Sequence, residues 1–195
     1  MKEIIQLHVS LQGSKPLIWR SILVNEETSF FELHHIIQIA MGWKNYHLFE
    51  FNLDGYRVGM IEENGEQYGS NLRLDANKTL LKDVVSLEKD NFLYNYDFGD
   101  GWLHEIELKH AVDKNDNGIY PACISGQLNC PPEDCGGIGR FYNILKILQN
   151  KKHPEYKETK IWVGKKYDPE SFDPLKVNKQ LKQLKRYISR WNSPE

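Results

Sequence analysis

Only three of the 195 residues are cysteine, and Cys123, Cys130 and Cys135 fall within thirteen positions. An odd count so closely spaced argues against a disulfide framework and fits a reducing compartment. No apolar run approaches the roughly 18 residues that cross a bilayer, so no membrane partner is expected. The first residues, MKEIIQLHV, alternate like a strand instead of carrying the apolar block of a signal peptide, which points to a cytoplasmic protein. There is no internal repeat and no low-complexity segment. A composition 40% apolar and 27% charged is that of a globular chain, not a disordered one. The length suits a single domain over 1–195, with a sheet-and-helix core over 1–113 and a loop-and-helix extension over 114–195 packed on it.

The formal net charge of −2 hides an asymmetry. Residues 141–195 carry 13 Lys/Arg against 6 Asp/Glu, and residues 1–140 carry 12 against 21. A basic end on an acidic body either faces nucleic acid or docks on the body itself.

The densest chemistry lies in YNYDFGDGWLH, residues 94–104. Phe92, Tyr94, Tyr96 and Phe98 alternate with Leu93, Asn95 and Asp97, the period-two pattern of a half-buried strand. Asp100-Gly101 predicts a two-residue type I′ turn, and the return strand groups Trp102, His104 and Ile106 on one face. Residues 92–110 therefore read as a hairpin that brings Asp97, Asp100 and His104 together.

Along the rest of the chain, 3–11 and 17–24 read as strands joined at Gly13. Ser29-Phe30-Phe31-Glu32 is a capping box that opens a helix over 30–41, with Phe30, Leu33, Ile37 and Met41 as its apolar stripe and Gly42 as its stop. Residues 47–53 and 56–60 form a second hairpin, 62–71 an exposed loop and 79–85 a helical turn. Residues 114–118 are a turn, and 120–139 are rich in Pro, Gly and Cys without a usable period. Helices follow over 140–149 and from Asp173-Pro174 to about residue 191, the latter with Val177, Leu181, Leu184, Ile188 and Trp191 as its apolar stripe. The expected class is α+β: a β-grasp-like mixed sheet packed by one long helix, then a Cys/Pro-rich loop and two further helices.

YNYDFGDGWLHEIEL (94–108), YPACISGQLNCPPEDCGG (120–137) and YDPESFDP (167–174), in that order, resemble the family named for the third open reading frame of an agrobacterial root-inducing plasmid. PLIWRSILV (16–24), ELHHIIQIAMGW (32–43) and HLFEF (47–51) extend the resemblance over nearly the whole chain. It implies a cytoplasmic α+β domain found in bacteria and archaea, sometimes beside mobile elements, and it supplies no catalytic residue. The chain lacks the serine-containing context of a recombinase.

Three groups of residues are candidates for chemistry. Asp97, Asp100 and His104, joined by Glu133 and Asp134, suit an acid–base or divalent-metal pocket; the structural alternative has the aspartates capping the turn and His104 turned inward against a carboxylate. Cys123, Cys130 and Cys135 with one imidazole from His104, His110 or His153 would close a tetrahedral zinc site, although no C-x₂-C pair is present and buried free thiols are the alternative. Lys182, Lys185 and Arg186 on the last helix are candidates for nucleic-acid contact. Gly136-Gly137-Ile138-Gly139 runs into a helix and either cradles an anion or is a plain loop-to-helix connection; it has neither the lysine–serine pair of a P-loop nor a preceding strand. The leading expectation is a non-catalytic binding or accessory module, linked to mobile-element or nucleic-acid transactions. One alternative is a metal-dependent hydrolase using zinc or another divalent ion at the carboxylate/His site. The other is a structural domain whose 174–191 stripe meets another protein.

Overall fold

The computed structural model describes residues 3–61, 72–85, 91–113 and 118–191, without the side chains of 110–113 and 191. Alternation at the start becomes β1 (Glu3–Leu11), which buries Ile5, Leu7, Val9 and Leu11. Gly13, at φ 77°, turns the chain toward β2 (Trp19–Asn25), antiparallel to β1. Helix α1 (Phe30–Met41) begins at the expected capping box: Glu32 N–H donates to Ser29 Oγ (3.1 Å) and Ser29 N–H donates to the Glu32 carboxylate (3.4 Å). It ends at Gly42, whose φ of 97° costs a glycine little.

The strands β3 (Phe49–Leu53), β4 (Tyr56–Gly59) and β5 (Leu72–Asp75) follow, then α2 (Leu81–Val84) and the hairpin β6 (Asn91–Tyr96) and β7 (Trp102–Asp113). After β8 (Ala122–Gln127) come α3 (Gly137–Gln149), α4 (Tyr156–Trp162), α5 (Pro174–Leu181) and α6 (Leu184–Trp191). The eight described strands form one mixed sheet in the order β5-β4-β3-β6-β7-β1-β2-β8, in which β4 and β5 run parallel and the other neighbours antiparallel. The class is α+β. The β-grasp order is not adopted: β1 lies antiparallel between β7 and β2, whereas a β-grasp sheet sets its first and last strands parallel at its centre.

Nor is there one long helix. Helix α1 has 12 residues and α3 has 13, and six helices lie among the described residues. The expected helix over 173–191 breaks at Lys182–Gln183, where Gln183 N–H bonds Gln180 O one residue short of α-helical spacing. Helix α1 is buried on almost every side, not on one stripe, because it packs both on the sheet, with Phe30 against Phe51 and Phe92, and on α5 and α6, with His35 against Tyr187. Val177, Leu181 and Leu184, three of the five residues of the expected apolar stripe, are thereby buried within the chain, and Ile188 is half-buried. Within the basic end, α5 packs on α1 and β8, and α6 packs on α1. The expected loop over 62–71 and turn residues 114–117 lie outside the described residues, as do the side chains of His110 and Trp191.

A buried polar latch joins these layers. Arg20 Nε donates to Ala40 O in the last turn of α1 (2.7 Å), and Nη1 donates to Trp19 O (2.7 Å) and Gln127 O (2.9 Å). Its guanidinium also lies 4.1 Å from the centroid of the Phe172 ring.

Candidate functional site

Strand register determines what meets at the end of the central hairpin. Strand β3 pairs with β6 through Phe49↔Tyr96, and Asp97 N–H continues the ladder to Leu48 O (3.0 Å). His47, one residue earlier, is therefore delivered beside Asp97. The approach from α1 is held by Asn45, left-handed at φ 61° and bonded through Oδ1 to His34 Nε2 (2.6 Å). His34 is fully buried, its other nitrogen 2.7 Å from the Tyr94 hydroxyl, and burial pushes its pKa well below the usual histidine range.

The hairpin connection is not the two-residue turn that Asp100-Gly101 suggested. Tyr96 pairs with Trp102, leaving five residues between the strands, with Asp97 (φ 56°) and Gly101 (φ 67°) left-handed. Asp97 Oδ1 accepts the amides of Gly99 (3.0 Å) and Asp100 (3.3 Å), so its second oxygen is left to face His47. Asp100 turns the other way and accepts Gly136 N–H at the start of α3 (2.9 Å). The Gly136 amide at this loop-to-helix connection is thus occupied by a carboxylate from the chain itself. A Cβ on Gly137 would lie 2.7 Å from Asp100 O, which measures how closely the two backbones approach.

That clasp brings in the loop before α3. Glu133 accepts from the Tyr96 hydroxyl (3.1 Å) and from the Lys44 amide. Burial, with the Glu133 carboxylate next, raises the Tyr96 pKa, keeping the phenol protonated as a donor. Asp134, at φ 55°, projects toward His47. His47 Nε2 lies 3.0 Å from Asp134 Oδ1, 3.5 Å from Asp97 Oδ2 and 3.8 Å from Glu133 Oε2. It is buried yet makes no hydrogen bond of acceptable geometry. Relative side-chain exposures are 28% for His47, 9% for Asp97, 5% for Glu133 and 65% for Asp134, so a closed polar base opens to water along Asp134. Glu133 and Asp134 also line a cleft of ≈ 410 Å³ beside Lys44, Trp162 and Tyr167.

Ligand atoms around one ion with bonds of about 2.1 Å lie roughly 3.0–3.5 Å apart. The His47–Asp134 and His47–Asp97 separations fall there, and one ligand atom from each of the three residues lies within 4.8 Å of the other two. One imidazole with carboxylate oxygens and an open side suits a borderline or hard divalent cation.

Of the residues singled out in the sequence, Asp97, Glu133 and Asp134 converge. Asp100 stands beside them but serves as the clasp. His104 does not reach the cluster: it is fully buried, with Nδ1 donating to Trp102 O (3.0 Å) and Tyr94 O (3.4 Å) and Nε2 unpaired. Two backbone carbonyls, not a carboxylate, hold it. Cys123, Cys130 and Cys135 are buried free thiols, and among the described residues they gather with no imidazole into a ligand set. Desolvation raises all three thiol pKa values, to about 11 for Cys123 and about 12 for Cys135, so they stay protonated. His153 accepts from Glu155 N–H. Of Lys182, Lys185 and Arg186, Arg186 lines a cleft at the C-terminal end of α1, and Lys182 and Lys185 are exposed outside that lining. His47 carries no local signal of its own: in the sequence it is the first residue of the strand expected over 47–53, and only the β3–β6 register reveals its neighbour.

Comparison with known proteins places relatives around this geometry. The family model described as plasmid pRiA4b ORF-3-like protein matches residues 3–176. The chain is 31% identical over 184 residues to the uncharacterized protein y4hQ of Sinorhizobium fredii (strain NBRC 101917 / NGR234), covering 93% of this chain and 92% of the relative. The crystal structure of MM3350, a protein of unknown function from Methanosarcina mazei Go1, superposes with a TM-score of 0.82 at 33% identity, covering 90% of this chain and 97% of that one.

Proposed function

The chain belongs to the plasmid pRiA4b ORF-3-like protein family, and from that premise we propose that it is a binding module organised on a divalent cation held by His47, Asp97 and Asp134. One observation carries the reading: a buried imidazole nitrogen without a hydrogen bond stands at ligand–ligand distance from two carboxylates of two other segments. Three carboxylates face this one imidazole, an oxygen-rich set of the kind that a divalent cation favours. Glu133 has its own donors in Tyr96 and Lys44 and supports the set from behind. The ion would join the α1–β3 connection, the hairpin and the proline–cysteine loop. The plasmid in the family name is the support for a role in mobile-element transactions, and the metal reading does not depend on it.

The exposure of Asp134 favours a second reading, a metal-dependent hydrolase, because water can reach the open side of the ligand set and a bound divalent ion lowers the pKa of such a water. Protein stripped of metal and titrated calorimetrically with Zn²⁺, Mn²⁺ and Co²⁺ tests both. One of these ions is expected to bind with a stoichiometry of about one and to raise the melting temperature by several degrees, since ligand at 100 times Kd stabilises by about 2.7 kcal/mol. His47→Ala and Asp97→Asn abolish this, whereas Cys123→Ser and Cys135→Ser keep it. Unaltered titrations in His47→Ala, or no stoichiometric binding by the unmutated chain, remove the site. Hydrolysis of bis(p-nitrophenyl) phosphate that requires both the ion and His47 selects the hydrolase; tight binding without turnover selects the binding module.

A further inference from the structure

Past the C-terminal end of α1 the surface changes sign. A cleft of ≈ 650 Å³ lies between that end and the outer side of α5 and α6, lined by Lys44, Lys176, Lys179, Arg186 and Arg190. No carboxylate lines it among the described residues, and none of the five cations is ion-paired with another described residue. This concentration of one sign occurs in a chain whose net charge is −2. Four of the cations recur at helical spacing along α5 and α6, on a stripe beside the buried one of Val177, Leu181 and Leu184, and Gln180 and Gln183 add amide donors on the same side. The half-buried Tyr187, edge-on to His35 at 5.8 Å, forms a fixed wall.

We propose that this cleft binds the phosphate backbone of a single-stranded nucleic acid. Lys176 and Lys179 stand on α5, Arg186 and Arg190 on α6 and Lys44 past the end of α1, so five cations from three segments line one cleft, more than a single phosphate would occupy. A membrane surface would require exposed apolar side chains among the cations, but Ile39 and Trp43, the apolar residues of the lining, are buried. A concave groove receives a flexible strand more readily than the convex flank of a duplex. Lys44 and Gly42 border both this cleft and the one containing Glu133 and Asp134, so a bound strand would pass next to the carboxylates.

Fluorescence anisotropy of a labelled strand of roughly 15 nucleotides and mixed sequence tests the proposal. The intact chain binds at about 50 mM salt and weakens steeply as salt rises, with log K falling by about 0.7 per phosphate contact for each unit of log salt. The variant Lys179→Glu/Arg186→Glu/Arg190→Glu loses about tenfold or more in affinity and its salt slope falls by about 2, while Lys182→Glu/Lys185→Glu, outside the cleft, changes affinity by no more than about threefold. Equal losses in the two variants overturn the proposal. So does absence of binding at low salt, or binding to phosphatidylserine vesicles in place of the strand. Melting curves that match the unmutated chain confirm that both variants fold. The measurement in EDTA is expected to give the same affinity, so failure of the cation site and failure of this cleft are read separately.

Discussion

Lowering the pH tests the interior at a single imidazole. His104 is fully buried between Tyr94, Trp43 and Trp102, with ring centroids 5.3 Å from Tyr94 and 6.5 Å from Trp43. Both partners of Nδ1 are carbonyl oxygens, so Nδ1 carries the proton and Nε2 is a bare lone pair in hydrocarbon. Charging that ring requires a cation in a dry site, and desolvation lowers its pKa to about 4, with the two carbonyl contacts opposing the shift in part and Arg20 adding to it. The unfolded chain takes up this proton near 6.5, while the folded chain resists until about 4. Stability is therefore unaffected by this group at pH 7, is lost as pH falls from 6.5, and the loss levels off below 4. At 1.36 kcal/mol per pH unit the interval from 6.5 to about 4 amounts to about 3 kcal/mol. Urea denaturation from pH 7 to pH 4 on the unmutated chain and on His104→Asn, whose amide can still donate but does not titrate, isolates this contribution. Buried His34, which shifts in the same direction, cancels in the difference. The unmutated chain is expected to lose about 3 kcal/mol more than the variant over that range. Parallel stability curves would refute the placement of His104 as a neutral core residue.

Two further tests address the frame. Arg20→Met leaves three carbonyl acceptors without their charged donor and removes the stack on Phe172, and guanidinium denaturation is expected to show a loss on the order of 3–5 kcal/mol. Arg20→Lys recovers little of it, because one ammonium cannot reproduce the planar fork. Gly137→Ala places a methyl 2.7 Å from Asp100 O at a φ of 77° and is expected to cost about 2–4 kcal/mol, whereas Gly101→Ala, with nothing within 4 Å and only the left-handed backbone to oppose it, costs about 1 kcal/mol. Equal urea midpoints for the two alanine variants would show that the hairpin and the loop are not in close apposition.

Local signals carried much of the architecture. The capping box placed α1 to the residue, period-two alternation placed β1, and the alternation around 92–106 assigned Phe92, Tyr94, Tyr96, Trp102, His104 and Ile106 to the buried face. Phe98 departs from its pattern and is exposed because the strand has already ended. Strand β8 was hidden because ACISGQ has one fully buried side chain, Cys123, and follows a proline. The break between α5 and α6 was hidden because Val177, Leu181, Leu184 and Ile188 keep a helical spacing straight through it. The acidic half of the candidate site was legible as side-chain chemistry concentrated near turns. Its imidazole was not, since partners separated by strand register leave no mark on local spacing, and the more conspicuous His104 shares a face with Trp102, which already pointed inward.

The five residues joining β6 to β7 are gripped at both ends, by the Asp97 side chain within the hairpin and by the Asp100 carboxylate on Gly136 across it. A connection held in this way is a machined joint rather than a surface flourish. Adding or deleting one residue there shifts both aspartates at once and lets the segment before α3 come adrift, so natural variation in length is expected to collect at other reversals, such as the one at Asp54-Gly55, where a glycine Cβ would meet nothing within 4 Å.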